Sequence, residues 1–124
     1  MNGVLPGDLV TINRWRAARS MAPLRWEAVP KIGLIVPDLA AGFLFETESP
    51  IVAILDSFIT NPDAPMRLRY KAVQEILAAL GEKAKSLGIE RLIGFSESNG
   101  IVRLAESLGY SSRPSRLVYR EVPA

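Results

Sequence analysis

Cysteine and histidine are both missing from this chain. With them go disulfide frameworks, thiol nucleophiles, zinc fingers, Ser-His-Asp triads and histidine general bases, and no metal site is expected. Proton transfer has to use Asp, Glu, Tyr, Lys, a chain terminus or water. Long apolar runs are missing too. Stretches such as GLIV and AAGFLF fall far short of the roughly 20 residues that a membrane-crossing helix needs, so no membrane partner is expected. The opening MNGVLPGD has no basic segment followed by an apolar run, the mark of a secretory signal. An intracellular, cytoplasmic location is the expectation.

What is present is ordinary for a folded domain. Hydrophobic residues make up 48% and charged residues 23% of 124 positions, enough for one core and too few for two. A single domain over residues 1–124 is expected. The net charge of +2 is unevenly spread: residues 1–31 carry five cations and two acids, residues 32–66 five acids and no cation, and residues 67–124 ten cations and six acids. Nucleic-acid binders gather their cations into one basic stripe, so an acidic middle between two mildly basic flanks argues against that class of partner.

Proline and glycine punctuate short elements. A short strand is expected near Gly3 to Leu5. Asp8 has the chemistry of an N-cap for LVTINRWRAAR, a helix with Leu9, Ile12 and Trp15 inward. SMAPLRWEAVP, broken by Pro23 and Pro30, reads as irregular. KIGLIV, AAGFLFET and IVAILDSFIT are short, branched, aromatic and bounded by turn residues, which predicts three consecutive antiparallel strands. In the last of them Val52, Ile54, Asp56, Phe58 and Thr60 fall on one face, and Ala53, Leu55, Ser57 and Ile59 on the other. That strand is expected to be central, with Asp56 and Ser57 as polar groups in need of partners.

From Tyr70 the period changes. Val73, Ile76, Leu77, Leu80, Ala84 and Leu87 recur at helical spacing, with Gly88 as the stop. IERLIGFSE reads as a strand. Ser98 or Asn99 caps a second helix whose inward residues are Ile101, Val102, Leu104, Ala105 and Leu108, and RLVYREV reads as a final strand. The sum is an α/β domain with a mixed, mostly antiparallel sheet and flanking helices.

Arg67, Arg69 and Lys71 stand at the start of the first long helix, where the helix dipole disfavours cations. An anionic ligand would reverse that cost, since bare N–H groups at a helix start bind phosphate. A solvated basic turn is the other reading. The order of elements, with IVAILDSFITNPDA, MRLRYKAVQEILAAL and RLIGFSESNGIVRLAESLGY, resembles the GNAT superfamily of acyl-CoA-dependent N-acyltransferases over residues 51–110. Residues 1–50 fit that family by order of elements alone.

The resemblance implies acetyl-CoA or another acyl-CoA as cosubstrate, with a small cationic amine as acceptor. The family's phosphate-binding frame is Arg or Gln, two residues, Gly, one residue, then Gly or Ala. Here Arg67, Leu68, Arg69, Tyr70, Lys71 and Ala72 fill it, with Tyr70 in place of the first glycine. Ser57, Phe58 and Ile59 would flank the pantetheine arm through strand backbone, and Asn99 would sit at the next helix start. Aligning Leu108-Gly109-Tyr110 on the family's Leu-Gly-aromatic places Ala105 where many members carry an acidic Tyr. Asp56, Glu97 and Tyr70 are then the candidates for acid or base. The acids between Asp38 and Asp63 would favour a cationic amine by steering.

A different reading uses the same departures. Tyr70 and Ala105 also suit a catalytically silent GNAT-like module kept for assembly, like short proteins of this type in tailed-phage particles, which would place it in a virion. Only fifteen residues follow Gly109, fewer than the family's two closing strands need. A homo-oligomer through the C-terminal strand would supply the missing edge.

Overall fold

Alternating apolar residues in IGLIV and the apolar run in AAGFLF predict two adjacent strands. A computed structural model, which describes residues 1–96 and 98–123, pairs Ile32–Val36 (β2) with Ala40–Glu46 (β3) across the turn at Pro37 and Asp38. Val52–Thr60 (β4) pairs antiparallel with β3, and a two-residue strand at Asn2–Gly3 (β1) pairs antiparallel with β2. Arg91–Gly94 (β5) closes the sheet as its one parallel member, beside β4. The order β1-β2-β3-β4-β5 follows the sequence. The fold is therefore α/β, with a mixed and mostly antiparallel five-stranded sheet.

Two apolar clusters cover the two faces. Helix α1 (Asp8–Ala17) lays Ile12 and Trp15 on the face that carries Ile35, Ala41, Phe43 and Ile59. Helix α2 (Met66–Ser86) lays Ala72, Val73, Ile76, Leu77, Leu80 and Ala84 on Ala40, Leu44, Ala53 and Leu55. Burying one such Val, Leu or Ile side chain contributes roughly 1.5–3 kcal/mol, so these stripes hold the helices in place. Helix α3 (Asn99–Ser107) adds Ile101, Leu104 and Ala105 to the α2 cluster from its margin, and none of its residues is fully buried. Ser98 is its cap, with its Oγ accepting from the Ile101 N–H at 3.3 Å. Residues 18–30 run as loop with one 3-10 turn at Trp26–Ala28. The loop is fastened to α1 by Asn13, whose Oδ1 accepts from the Leu24 N–H at 2.7 Å.

Several expectations need correction. Asp8 is the first residue of α1 and not its cap; its carboxylate turns back and accepts the Leu5 N–H at 2.8 Å. Leu87 is 40% exposed, because the helix ends at Ser86 and Gly88 (φ +77°) turns the chain away before another residue can reach the sheet. Leu108 is likewise exposed beyond the end of α3. RLVYREV forms no strand: residues 111–123 are exposed and without regular structure. Its branched and aromatic residues suit a strand, and a lone strand has no ladder to join.

The alternation expected along β4 also breaks. Phe43 lies opposite Asp56 while Ala41 lies opposite Ile59, so Ser57 and Phe58 together face the single residue Gly42. Ser57 takes φ +57°. This is a β-bulge, and the extra residue moves every later side chain to the other face. Ile59 consequently joins the α1 cluster, and Phe58 packs toward α2.

Candidate functional site

Bulge and sheet edge meet at one point. β5 ends at Gly94, opposite Leu55, whereas β4 continues through the bulge to Thr60. Beyond Leu55 the side of β4 that faced β5 has lost its partner. The two strands therefore open into a wedge, and the chain leaving each of them leads into a helix: Asn61–Pro65 into α2, and Phe95–Ser98 into α3. The starts of both helices stand at that end of the sheet, with their unpaired N–H groups.

Asp56, Ser57 and Phe58 occupy the bulge. Asp56 is exposed, and its Oδ1 accepts from the Ser57 N–H at 2.7 Å, so its carboxylate caps an amide of its own bulge. Its register partner Phe43 places it on the α1 face. Arg16, near the end of α1, is its electrostatic neighbour: burial lowers the pKa of that guanidinium and the Asp56 charge opposes the change. Phe58 turns to the other face and covers Gly42, where an added Cβ would come within 2.5 Å of the ring. Only glycine leaves room for that ring. Ile59 is buried under α1, so its side chain is core and only its backbone borders the wedge.

At the start of α2 the cations are all present, and the helix itself offers them no compensation in its first turn. The first turn contains no acid, Pro65 precedes it, and no side chain caps it. Arg67, Leu68 and Lys71 are exposed, Arg69 and Tyr70 are half-buried, and Ala72 is buried. Among the described residues no carboxylate lies within ion-pair distance of Arg67, Arg69 or Lys71. Arg69 also has its Nε shielded from solvent with no hydrogen-bond partner among the described residues. Nearby, Arg19 donates to the Thr60 carbonyl at 2.6 Å and to the Thr60 Oγ1 at 2.8 Å. Burial lowers the pKa of Arg19, and the charge of Arg69 lowers it further.

Tyr70 reaches across the wedge. Its phenol ring occupies the space that a β-carbon on Gly100 would take, in the first turn of α3. Asn99 adjoins this contact and is exposed. Tyr70 thus bridges the starts of α2 and α3, on the face opposite Asp56. The structure groups Tyr70, Asn99 and the Arg67–Ala72 turn on one side and sets Asp56 on the other, with the bulge between them. Glu97 lies outside the described residues.

Arg16, Arg19 and Gly100 were not singled out in the sequence. Arg16 and Arg19 are three apart near the end of α1, a spacing that puts both on one side, but nothing local says which strand they meet. A glycine directly after the first residue of a helix is an unfavourable choice for helix formation, and that was the available signal for Gly100. Tyr110, a further phenol, packs against the α2 cluster, and burial raises its pKa. It borders a cleft of about 450 Å³ with Ala84, Ile89 and Leu92, at the opposite end of β5 from the wedge. Ala105 is half-buried against the same cluster. Among the described residues no group of three or more acids that could hold a metal is found, and no helix is long and apolar enough to cross a membrane.

No family model matches this chain, and no curated protein does. Two solved structures resemble it along almost their whole length. One is a "putative acetyltransferase" from Agrobacterium tumefaciens strain C58, with a TM-score of 0.65 and 13% identity over 97% of this chain and 98% of that one. The other is a single-residue variant of TTHA1254 from Thermus thermophilus, with a TM-score of 0.72 and 12% identity over 99% of this chain and 97% of that one. At such identities the likeness concerns the fold alone.

Proposed function

We propose that this chain binds an acyl-CoA, acetyl-CoA foremost, in the wedge between β4 and β5 and passes the acyl group to an amine. The observation that carries the reading is the bulge at Ser57 beside the end of β5: it opens the sheet in front of two helix starts, one of them ringed by cations that pair with no carboxylate among the described residues. Arg67, Arg69 and Lys71 with the α2 N–H groups would take the phosphates. Backbone of Ser57 to Ile59 would flank the pantetheine arm. The amine nitrogen would attack the thioester carbonyl, the C–S bond would break, and CoA would leave as thiolate. The proton lost by nitrogen would pass to Asp56, directly or through water. A cationic amine suits an exposed carboxylate, although Arg16 shares that field.

A second reading is favoured by one contact. Tyr70 over Gly100 fills part of the space that a ligand would cross, and this suits a silent GNAT-like module kept for assembly. Calorimetric titration of the full chain with acetyl-CoA and with CoA separates the two. Micromolar to millimolar binding of either supports the first reading. No heat at millimolar ligand removes it and leaves the second.

A further inference from the structure

On its α1 side the bulge gathers cations as well as the Asp56 carboxylate. Arg16 and Arg19 stand at the end of α1, three residues apart, and Arg19 is tied to the end of β4 by its two hydrogen bonds to Thr60. That tie holds the end of α1 against the strand that carries Asp56. Arg16 is fixed from behind. Its Nε donates to the Ala22 carbonyl at 2.8 Å, and its own carbonyl accepts from the Arg19 and Met21 N–H groups, both at 3.0 Å, where the chain turns through Ser20 at φ +57°. The two terminal nitrogens of its guanidinium, Nη1 and Nη2, have no hydrogen-bond partner among the described residues, and no carboxylate there stands within ion-pair distance.

Asp56 is left open in the same way. One of its oxygens holds the Ser57 N–H, and the other has no partner among the described residues. The Asp56 charge nevertheless acts on Arg16. Two opposite charges that are near neighbours without being in contact suit a small molecule that meets both. We propose that the acyl acceptor is an α-amino acid, held by its ammonium on Asp56 and by its carboxylate on the terminal nitrogens of Arg16. This assignment rests on the acyl-CoA reading of the wedge and narrows the amine to a zwitterion. An α-amino acid carries both charges on one carbon, and a guanidinium edge matches a carboxylate bidentately. A diamine would set a second cation against Arg16 and Arg19 instead, and like charges brought together oppose binding. The ammonium would give one proton to Asp56, directly or through water, and Asp56 would release it to solvent. The freed nitrogen would then form the C–N bond as the C–S bond breaks, CoA would leave as thiolate, and the second proton lost by nitrogen would follow the first.

Acetyl transfer by the full chain at saturating acetyl-CoA tests this. The acceptors are the common α-amino acids, their primary amides, which keep the amine and lack the anion, and 1,4-diaminobutane. The acids are expected to exceed the matching amides in kcat/KM by roughly tenfold to a hundredfold, the effect of losing a charge-assisted pair of hydrogen bonds. Arg16→Gln should erase that preference by raising KM for the acids, with acetyl-CoA affinity by calorimetry unchanged. The comparison of acid with amide in the parent needs no variant, so it holds even if Arg16→Gln folds poorly. Amides or the diamine used as well as the acids, no transfer to any amino acid although acetyl-CoA binds, or a folded Arg16→Gln chain that keeps the preference would each overturn the assignment and leave acyl-CoA binding standing. A parent that binds no acetyl-CoA would instead remove the acyl-CoA reading, and the assignment with it.

Discussion

Tyr70 lies directly over Gly100, so a side chain from the second turn of α2 closes on the first turn of α3. The resemblance read from the sequence puts a glycine at position 70, and the structure has a ring there that makes a specific contact. The ring spans the gap between two helix starts and is itself half-buried. Whether the ring obstructs the wedge decides between the two functional readings.

Tyr70→Gly is expected to raise affinity for CoA about tenfold, equivalent to roughly 1.4 kcal/mol, whereas Tyr70→Phe should leave it unchanged because the ring remains. Gly100→Ala should displace the Tyr70 ring with little loss of stability, since the atoms in its way are the far end of one side chain. Calorimetry on the three variants checks this. Equal affinity in parent and Tyr70→Gly would show that the ring does not obstruct the site.

Reversal of the exposed cations at the start of α2 should abolish CoA binding at nearly constant stability. Arg67→Glu with Lys71→Glu is the cleaner pair, because Arg69 has a buried Nε and its replacement would mix binding with packing. Helix-terminal charge effects on stability are about 0.3–1 kcal/mol, and an acid in the first turn is favourable. CoA affinity that survives the double reversal would exclude this turn as the phosphate site.

Asp56→Asn should keep an acceptor for the Ser57 N–H while removing the base. Acyl transfer to amines is expected to fall by about 10²- to 10⁴-fold with acyl-CoA affinity maintained. Single-turnover rates and titrations on the same preparation measure both. Unchanged rates would move the proton to another group.

Core burial predicts a sharp contrast along α2. Leu80→Ala and Leu77→Ala, at fully and nearly fully buried positions, should each cost about 2–5 kcal/mol, while Leu87→Ala, beyond the end of the helix, should cost well under half of that. Denaturant unfolding of the three variants tests the contrast.

Alkaline pH should destabilise the protein through Tyr110. Burial raises its folded-state pKa above the ordinary value of 10.0, so the folded form holds its proton more tightly than the unfolded form does. The contribution is complete below about pH 10 and is lost as pH rises through the folded value. Tyr110→Phe should flatten the loss of stability above that pH, as followed by thermal unfolding across the range.

Much of the fold was legible in the sequence. Strands β2, β3 and β4, the long helix and the two glycine stops at Gly88 and Gly109 follow from local rules: alternation, helical period, and the left-handed turn that glycine takes without strain. The absence of cysteine and histidine settled which chemistries are excluded without any structure. The cation cluster at the start of α2 was visible for the same reason, being contiguous in the chain.

Tertiary structure decided what depends on partners far apart in sequence. The bulge at Ser57 arises because β3 offers one residue, Gly42, against two, and no pattern within IVAILDSFIT announces it. It left Asp56 on the face of Arg16 and turned Phe58 to the other, which simple alternation had placed together. Tyr70 found Gly100 far along the chain, and Arg19 found Thr60 across the sheet. RLVYREV shows the limit most plainly. A strand needs a second strand to satisfy its N–H and C=O groups, and a run of branched and aromatic residues records the capacity to pair but not whether a partner edge is within reach.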